Sequence, residues 1–198
     1  MAEASGDPYE KVSIPLPATH GWRCKPGNNY FCADRGAVAF EMPAKWVVRH
    51  DDKDALTIHD LSPPADSARI SLTVFHLPPV KGGWGQLPLE KLLAGPPAGF
   101  GKNKRKQKID EPATPPVIHR VPRADVEMIW SEKKPWLDPH NGRQIRCRQI
   151  LARARLVQCL LTFDVYEDVA EQFQSVWDDL LSSLQVAVPR DLMGHVGN

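Results

Sequence analysis

The fold is decided by residues 142–186, which read GRQIRCRQILARARLVQCLLTFDVYEDVAEQFQSVWDDLLSSLQV. Residues 144–151 alternate at every second position, and residues 157–165 repeat that alternation with a fully apolar face. Period-two alternation is typical of strands that bury one face. The stretch therefore predicts two antiparallel strands, joined by a tight turn at Arg153 and Ala154 that lacks the Asn-Gly or Asp-Gly of the strongest hairpin signals.

The end of the same stretch changes to the spacing of a helix. Apolar side chains recur at intervals of four, three, one, three and four, at Val169, Phe173, Val176, Trp177, Leu180 and Leu184. These intervals place them on one helical face, so we expect the helix to lie on the sheet. Asp168, followed three residues later by Glu171, has the pattern of a capping box with an acidic N-cap. The helix is predicted to begin there and to end, with any short extension, before Pro189.

Further strands are predicted on both sides of a long irregular segment. β-prone residues alternate over 37–42, 46–50, 55–61, 69–77, 117–121 and 124–133. Residues 87–94 predict a short helix, with Leu89, Leu92 and Leu93 forming an apolar stripe. The expected organisation is an N-terminal arm or extension over 1–34, one domain over 35–188 with a basic insertion at 95–116, and a flexible tail over 189–198.

The order of these elements resembles that of a known superfamily. A strand, the motif Phe40-x-x-Pro43-x-x-Trp46, a hairpin, residues 70–77, a short helix, an insertion, three further strands and a closing helix resemble the PsbP-like superfamily. Its fold is shared by the photosystem II extrinsic protein, a Ran-binding nuclear import factor and many uncharacterised bacterial domains. The resemblance implies an α+β fold, an antiparallel β-sheet flanked by helices in an α/β/α sandwich. It also implies a binding or assembly role more than an enzymatic one, although fold alone is a weak guide to function.

Composition argues against several classes of partner. The net charge is +1 and the isoelectric point is near 7.7, so the chain has no overall charge that would attract nucleic acid or an anionic surface. No window approaches the eighteen or so apolar residues of a membrane span, and no secretory signal begins the chain. We therefore expect a soluble, cytoplasmic protein without a membrane partner, with reduced cysteines and no cofactor.

Two sets of residues are candidates for metal binding. His20, Cys24 and Cys32 supply soft ligands, but a structural zinc site needs four. The alternatives for the two cysteines are a disulfide, if the chain is exported, and unpaired thiols. The second set is His50, His59 and His76, which lie on or beside predicted adjacent strands, where the structural alternative is that each is satisfied separately.

No catalytic signature is present in the sequence. No Ser, Thr or Cys stands in a nucleophile elbow or beside a paired base. Residues 95–102 differ from a phosphate-binding loop in spacing, contain two prolines and lack the following Ser or Thr. The prediction is a non-catalytic protein-binding or assembly module, and the alternatives are a small-ligand or metal-binding domain that uses His and Cys, or an enzyme whose site is formed by distant residues.

Exposed aromatics and a basic run are the candidate partner contacts. Trp84 and Trp136 fall in predicted loops, as does Trp22, and exposed tryptophans often anchor protein interfaces. The basic run within residues 102–108 consists of Lys102, Lys104, Arg105, Lys106 and Lys108. A second basic cluster, at residues 143–155, precedes residues 156–189, which have no Lys or Arg but have six acids, so the chain is expected to neutralise that cluster itself.

Overall fold

The chain folds into two antiparallel sheets and two α-helices within the residues that the computed structural model describes, which are 24–50, 56–93 and 116–187. The strands are β1 (Asn28–Ala33), β2 (Val38–Pro43), β3 (Val47–His50), β4 (Leu56–His59), β5 (Ala68–His76), β6 (Ile118–Val121), β7 (Glu127–Leu137), β8 (Gln144–Ala154), β9 (Val157–Tyr166) and β10 (Gln185–Val186). The helices are α1 (Leu89–Leu93) and α2 (Gln174–Ser183). Short 3₁₀ helices span Asp34–Gly36, Trp84–Gln86 and Glu167–Phe173.

The larger sheet has seven strands in the order β3-β4-β5-β9-β8-β7-β6, and the smaller has the order β1-β2-β10. In the seven-stranded sheet, residues that are paired across neighbouring strands point to the same face, as in any antiparallel sheet. Ile70, Phe163 and Arg148 thus share one face, while Arg69 and Asp164 share the other. We call the first the α2 face and the second the α1 face, after the helix that packs on each.

The α2 face carries the main core. Trp177 of α2 is 2% exposed, and its ring is stacked on Phe163 with ring centroids 5.9 Å apart. Trp130 meets Trp177 edge-on at 5.4 Å, and Phe40 of the smaller sheet belongs to the same buried cluster. Offset and edge-on aromatic pairs add about 0.5–1.5 kcal/mol each beyond their buried area. The closing helix and the smaller sheet therefore form one layer on this face.

The α1 face has a smaller apolar cluster. Leu89 and Leu93 of α1 are buried against Ile129 and Leu151, which lie on β7 and β8. Lys133 Nζ donates a hydrogen bond to the Leu93 carbonyl and ties the end of α1 to β7. With helices on both faces of an antiparallel sheet, the predicted α+β class and sandwich are confirmed.

The predicted turn between the two long strands is wrong by two residues. Arg153 and Ala154 belong to β8, where they pair with Gln158 and Val157 of β9. The turn lies at Arg155 and Leu156, and Arg155 has a φ of 53°. A left-handed residue is what a tight hairpin requires, and here a non-glycine residue adopts it, which is why the sequence did not indicate the position.

The predicted capping box is also wrong. A 3₁₀ helix occupies Glu167–Phe173, no side chain caps it, and α2 begins only at Gln174. Asp168 instead accepts hydrogen bonds from Arg143 Nη2 at 2.7 and 2.9 Å, and Glu171 lies 3.8 Å from Arg146. The arginines of β8 and of the turn before it thus compete for the carboxylates that were expected to cap the helix.

Three further differences concern strand limits. β1 lies in the segment predicted to be an arm and pairs along its length with β2. α2 ends at Ser183 and is followed by β10, which pairs with Val38 and Ala39. β7 continues to Leu137 past an irregularity between Lys133 and Trp136, so Trp136 is a strand residue and its prediction as a loop residue is wrong.

Candidate protein-interaction surface

Exposed apolar side chains concentrate at two ends of the seven-stranded sheet. The large exposed hydrophobic residues in the described part are Leu61, Phe75, Val80, Leu92, Val117, Trp136, Leu137 and Leu156. We call residues 134–143 the hairpin end, which carries Trp136 and Leu137. We call residues 75–84 together with Arg155 and Leu156 the loop end. Single exposed hydrophobics are ordinary, but neighbouring ones mark interaction sites.

The hairpin end presents two exposed apolar side chains, which point to opposite faces of β7 because they are consecutive residues of a strand. Trp136 is 42% exposed and Leu137 is 66% exposed. Their backbones pair with Ile145 and Gln144 of β8, so both are held by the ladder at the point where β7 and β8 turn. Lys134, next to them, is exposed and forms no ion pair with a described residue. The end is thus apolar with a cationic neighbour.

The turn beneath these side chains is fastened to β9. The Tyr166 hydroxyl donates a hydrogen bond of 2.6 Å to Asp138 Oδ2 and accepts one of 2.8 Å from Asn141 Nδ2. These bonds hold the pKa of Asp138 below its usual value, with the backbone N–H of His140 contributing after the Tyr166 hydroxyl. The Arg143 guanidinium lies 3.7 Å from the centre of the Tyr166 ring. Such cross-links hold the turn in one conformation.

The loop end is built differently. Phe75, Val80 and Leu156 are 41%, 43% and 45% exposed. The Leu77 N–H donates to the Leu156 carbonyl at 2.8 Å and joins the segment after β5 to the β8–β9 turn. Trp84 is half-buried, and its indole N–H donates to the Pro78 carbonyl at 2.7 Å.

The structure does not bring Trp84 and Trp136 together. Trp136 pairs with Ile145, near the start of β8, whereas the loop end adjoins Ala154 at its finish. Nine residues of antiparallel strand span about 30 Å. The two tryptophans that were grouped by sequence as partner contacts therefore belong to separate surfaces at opposite ends of the sheet.

Acidic side chains in the described residues are all occupied. Each accepts a hydrogen bond or forms an ion pair within the chain. The same part of the chain leaves several cations without an acidic partner, namely Arg35, Lys45, Arg49, Lys81, Lys91, Lys133, Lys134 and Arg155. By the same measure Asp60, Asp138 and Asp178 have no cationic partner among the described residues, since only neutral groups donate to them.

Self-neutralisation of the second basic cluster is confirmed for most of its members. Arg146 pairs with Glu167, which raises the pKa of Arg146 and lowers that of Glu167. Arg143 pairs with Asp168. Arg148 pairs with Glu132 of β7 at 3.3 Å, and Arg155 has no acidic partner within residues 24–50, 56–93 and 116–187. Neighbouring strand β7 thus supplies some of the acids that were expected from the closing helix.

The predicted cluster of His20, Cys24 and Cys32 lies partly outside the residues that the structure describes. Cys24 and Cys32 are free and exposed by accessible area, and Cys147 and Cys159 are free and buried. Partial burial of its sulfur raises the pKa of the Cys32 thiol to about 11. No group of three His, Cys, Asp or Glu suitable for a metal occurs among the described residues, and His20 lies outside them, as do Trp22 and the basic run Lys102, Lys104, Arg105, Lys106 and Lys108.

Of the three sheet histidines, His59 and His76 contact different carboxylates, and the side chain of His50 lies outside the described part. His76 pairs with Asp34, whereas His59 Nδ1 lies 2.8 Å from Asp66 Oδ2. His59 Nε2 also lies 3.1 Å from Thr57 Oγ1, so a hydroxyl, an imidazole and a carboxylate form a hydrogen-bonded chain that the sequence did not indicate. This order matches a nucleophile, a base and an orienting acid. Asp66 follows His59 by seven residues and lies outside β4, so no short sequence motif joins the three residues.

Sequence comparison places the chain in a family. The family model for Alr1449 matches residues 29–188, most of the chain. The chain belongs to the Alr1449 family. An uncharacterized protein of that family, alr1449 of Nostoc sp. strain PCC 7120, is 28% identical over 183 residues, covering 90% of this chain and 87% of its own length. The match includes β1, which the expected domain start at residue 35 had left outside.

Solved structures share the fold at low sequence identity. Cyanobacterial PsbP (CyanoP) from Synechocystis aligns with a TM-score of 0.52 and 12% identity, over 87% of this chain and 99% of its own. A protein from Bacteroides thetaiotaomicron aligns with a TM-score of 0.51 and 9% identity, over 81% of this chain and 48% of its own. The Ran-binding protein Mog1p of Saccharomyces cerevisiae aligns at 0.44 and 12% identity, over 83% of this chain and 97% of its own. The predicted PsbP-like fold is confirmed. No helix among the described residues is both long and apolar enough to span a bilayer.

Proposed function

We propose that this chain is a non-catalytic protein-binding or assembly module that contacts its partner through the hairpin end. The observation that carries the proposal is the pair Trp136 and Leu137, adjacent in sequence, both exposed, and both fixed by backbone pairing to β8. Tryptophan is the residue type most enriched among the side chains that dominate binding energy. Leu137 is exposed on the opposite face of the same strand, so the partner contacts the end of the sheet from both faces.

Preorganisation supports this assignment. The turn is tied to Tyr166 through Asp138 and Asn141, and Arg143 joins Asp168 while covering the Tyr166 ring. A surface that is already ordered loses less conformational entropy when it binds. The hairpin end therefore has the rigidity that a specific contact needs.

The partner contacts side chains and does not add a strand. β6 pairs only with residues 128–131 of β7, so the remainder of β7 has β8 alone as a neighbour within the described residues. That open edge carries Lys133, Lys134, Pro135 and a shift in register, all of which hinder the pairing of another strand. A β-augmented partner strand is accordingly disfavoured, and contact through Trp136 and Leu137 remains.

Charge defines the partner further. Lys134 is an exposed cation two residues before Trp136 in the sequence and has no acidic partner among the described residues. The basic run at residues 102–108 gives the chain five more positive charges, and it lies outside the described part. A partner with acidic groups around an apolar pocket would complement this surface and associate faster through electrostatic steering. Trp84 belongs to a different surface.

The absence of catalysis is part of the proposal. Thr57 Oγ1 lies 3.4 Å from the Arg49 carbonyl and 3.1 Å from His59 Nε2, so the imidazole competes with a backbone acceptor for its proton. His59 is itself buried, and the chain from Thr57 to Asp66 fastens the β4–β5 connection. Thr57→Val is expected to leave hydrolysis of a p-nitrophenyl ester at the level of the wild type. A loss of ester hydrolysis that follows the variant would contradict a purely structural role.

Site-specific photo-crosslinking tests the proposed surface. A benzophenone amino acid at position 137 should form a discrete adduct in native lysate, and the same group at position 156, at the opposite end, should not form that adduct. Trp136→Ala with Leu137→Ala should reduce capture of the adducted protein more than tenfold, since an anchor of this kind contributes about 2 kcal/mol or more. Leu156→Ala is the matched control, and equal capture by both variants would remove the hairpin end from the proposal.

A further inference from the structure

We propose that the loop end docks on the surface of an anionic lipid bilayer. In this arrangement Val80, Leu156 and the Trp84 ring enter the interfacial region, and Lys81 and Arg155 contact lipid phosphates. The proposal concerns the end of the sheet opposite to the hairpin end, and it does not depend on the protein-binding role proposed for Trp136.

The apolar groups of the loop end lie on turns. Leu156 occupies the two-residue connection between β8 and β9, and Val80 precedes the glycine pair Gly82 and Gly83. Side chains that project from turns can enter the headgroup region of a bilayer while the strands stay in water, and each apolar group that is buried there strengthens binding. This placement favours shallow insertion.

Positive charge accompanies these groups. Lys81 and Arg155 are exposed, and neither has an acidic partner among the described residues. Asp34 is engaged by His76 at the end of β5, and Arg153 beneath the loop is neutralised by Glu127. The loop end thus combines the exposed Val80 and Leu156 and the half-buried Trp84 with two cations that have no acidic partner among the described residues, which complements a surface of negative charge over hydrocarbon.

Internal hydrogen bonds distinguish a lipid partner from a protein partner. The Trp84 indole N–H is already bonded to the Pro78 carbonyl, and the Leu77 N–H to the Leu156 carbonyl. Within the loop, the N–H groups of Gly83 and Leu87 bond to the carbonyls of Val80 and Trp84. Lipid tails offer no hydrogen-bonding groups, so polar groups that enter the interface must be satisfied within the protein. The loop end meets much of that requirement.

This inference revises the expectation of no membrane partner. That expectation depended on the lack of a spanning segment, and no helix of the described part is long and apolar enough to span. Adsorption to a bilayer surface requires only an apolar patch and cations. The overall charge of +1 also hides a local concentration of free cations.

Vesicle cosedimentation with the full chain tests the proposal. Wild type should bind vesicles of phosphatidylcholine mixed with phosphatidylglycerol, and should bind vesicles of phosphatidylcholine alone much more weakly. Arg155→Glu should weaken binding at least fivefold, the effect expected for one basic residue near an anionic surface. Leu156→Ser should weaken it about tenfold through lost apolar insertion. Raised salt should weaken binding by wild type, because the charge attraction is screened.

Matched substitutions at the hairpin end are the controls. Lys134→Glu also reverses a positive charge, and Leu137→Ser also removes an exposed leucine. Both should leave vesicle binding unchanged. The basic run at residues 102–108 is intact in every variant. If Arg155→Glu and Leu156→Ser still bind vesicles, the binding is due to that run and the proposal is overturned. If the wild-type chain is retained on immobilised polyglutamate but does not bind vesicles, its partner is an acidic protein, and the lipid proposal is overturned as well. Loss of vesicle binding with normal crosslinking at position 137 would separate this surface from the protein-binding one.

Discussion

The Tyr166 hydroxyl lies 2.6 Å from Asp138 Oδ2 and joins the end of β9 to the turn between β7 and β8. Tyr166 is also covered by the Arg143 guanidinium and bonded by Asn141. Through this one residue the sheet controls the conformation of the turn that adjoins Trp136 and Leu137.

Acid should loosen the hairpin end before it unfolds the core. The folded-state pKa of Asp138 is depressed, chiefly by the Tyr166 hydroxyl, so its contribution to stability is complete above the unfolded value of about 3.9. The contribution is lost as pH falls through the lower, folded pKa. In Tyr166→Phe the carboxyl pKa, followed by NMR, should move back toward its usual value. An unchanged Asp138 pKa in that variant would show that the hydroxyl has no such effect.

Trp177 should be among the most sensitive positions of the core. Its ring contacts Phe163 and Trp130, and the Arg148 guanidinium lies 5.2 Å from its centre. Trp177→Ala is expected to lower the free energy of unfolding by about 3–5 kcal/mol, measured by urea denaturation. Trp177→Phe retains much of the volume and should cost clearly less. Similar losses in both variants would mean that the cavity is not the cause.

Two ion pairs should differ in their effect on stability because they differ in burial. Arg153 is 5% exposed and bonds both Glu127 at 2.6 Å and the Leu87 carbonyl, whereas Arg146 and Glu167 lie nearer to solvent. Glu127→Ala leaves a buried guanidinium without its anion and is expected to lower the unfolding free energy by about 2 kcal/mol. Glu167→Ala should lower it by less than about 1 kcal/mol. Equal losses in thermal or urea denaturation would refute burial as the deciding factor.

The four thiols should react in a definite order. Burial raises the pKa values of Cys147 and Cys159 to about 12, and that of Cys32 to about 11, while Cys24 is exposed. Because the thiolate is the reactive form, iodoacetamide at mildly alkaline pH should label Cys24 first and Cys32 slowly. Cys147 and Cys159 should react only after denaturation, as peptide mass mapping can establish. Rapid labelling of Cys159 in the native protein would require local opening of β9.

Prediction succeeded where the pattern was local. Alternation located most strands of the large sheet to within a few residues, and the spacing around Trp177 placed a helix on that sheet. Prediction failed where distant groups compete. Asp168 and Glu171 have the sequence of a helix cap, yet Arg143 and Arg146 engage them across the fold. The candidate surface was predicted in part. The sequence indicated Trp136, but it did not indicate that Leu137 is also exposed or that Trp84 lies at the opposite end of the sheet.

The sequence by itself determined the α+β class and the α2 face of the core, because periodic burial is encoded in the spacing of neighbouring residues. Only the tertiary structure decided how residues 142–186 are used. Register puts four of the five arginines of this stretch beside acids from β7 and from the 3₁₀ helix, and Arg155 has no acidic partner among the described residues. Strand length separates Trp84 from Trp136. The ion pairs of the arginines and the separation of the tryptophans both depend on which strands pair and in what register. The local spacing of residues contains no information about that pairing.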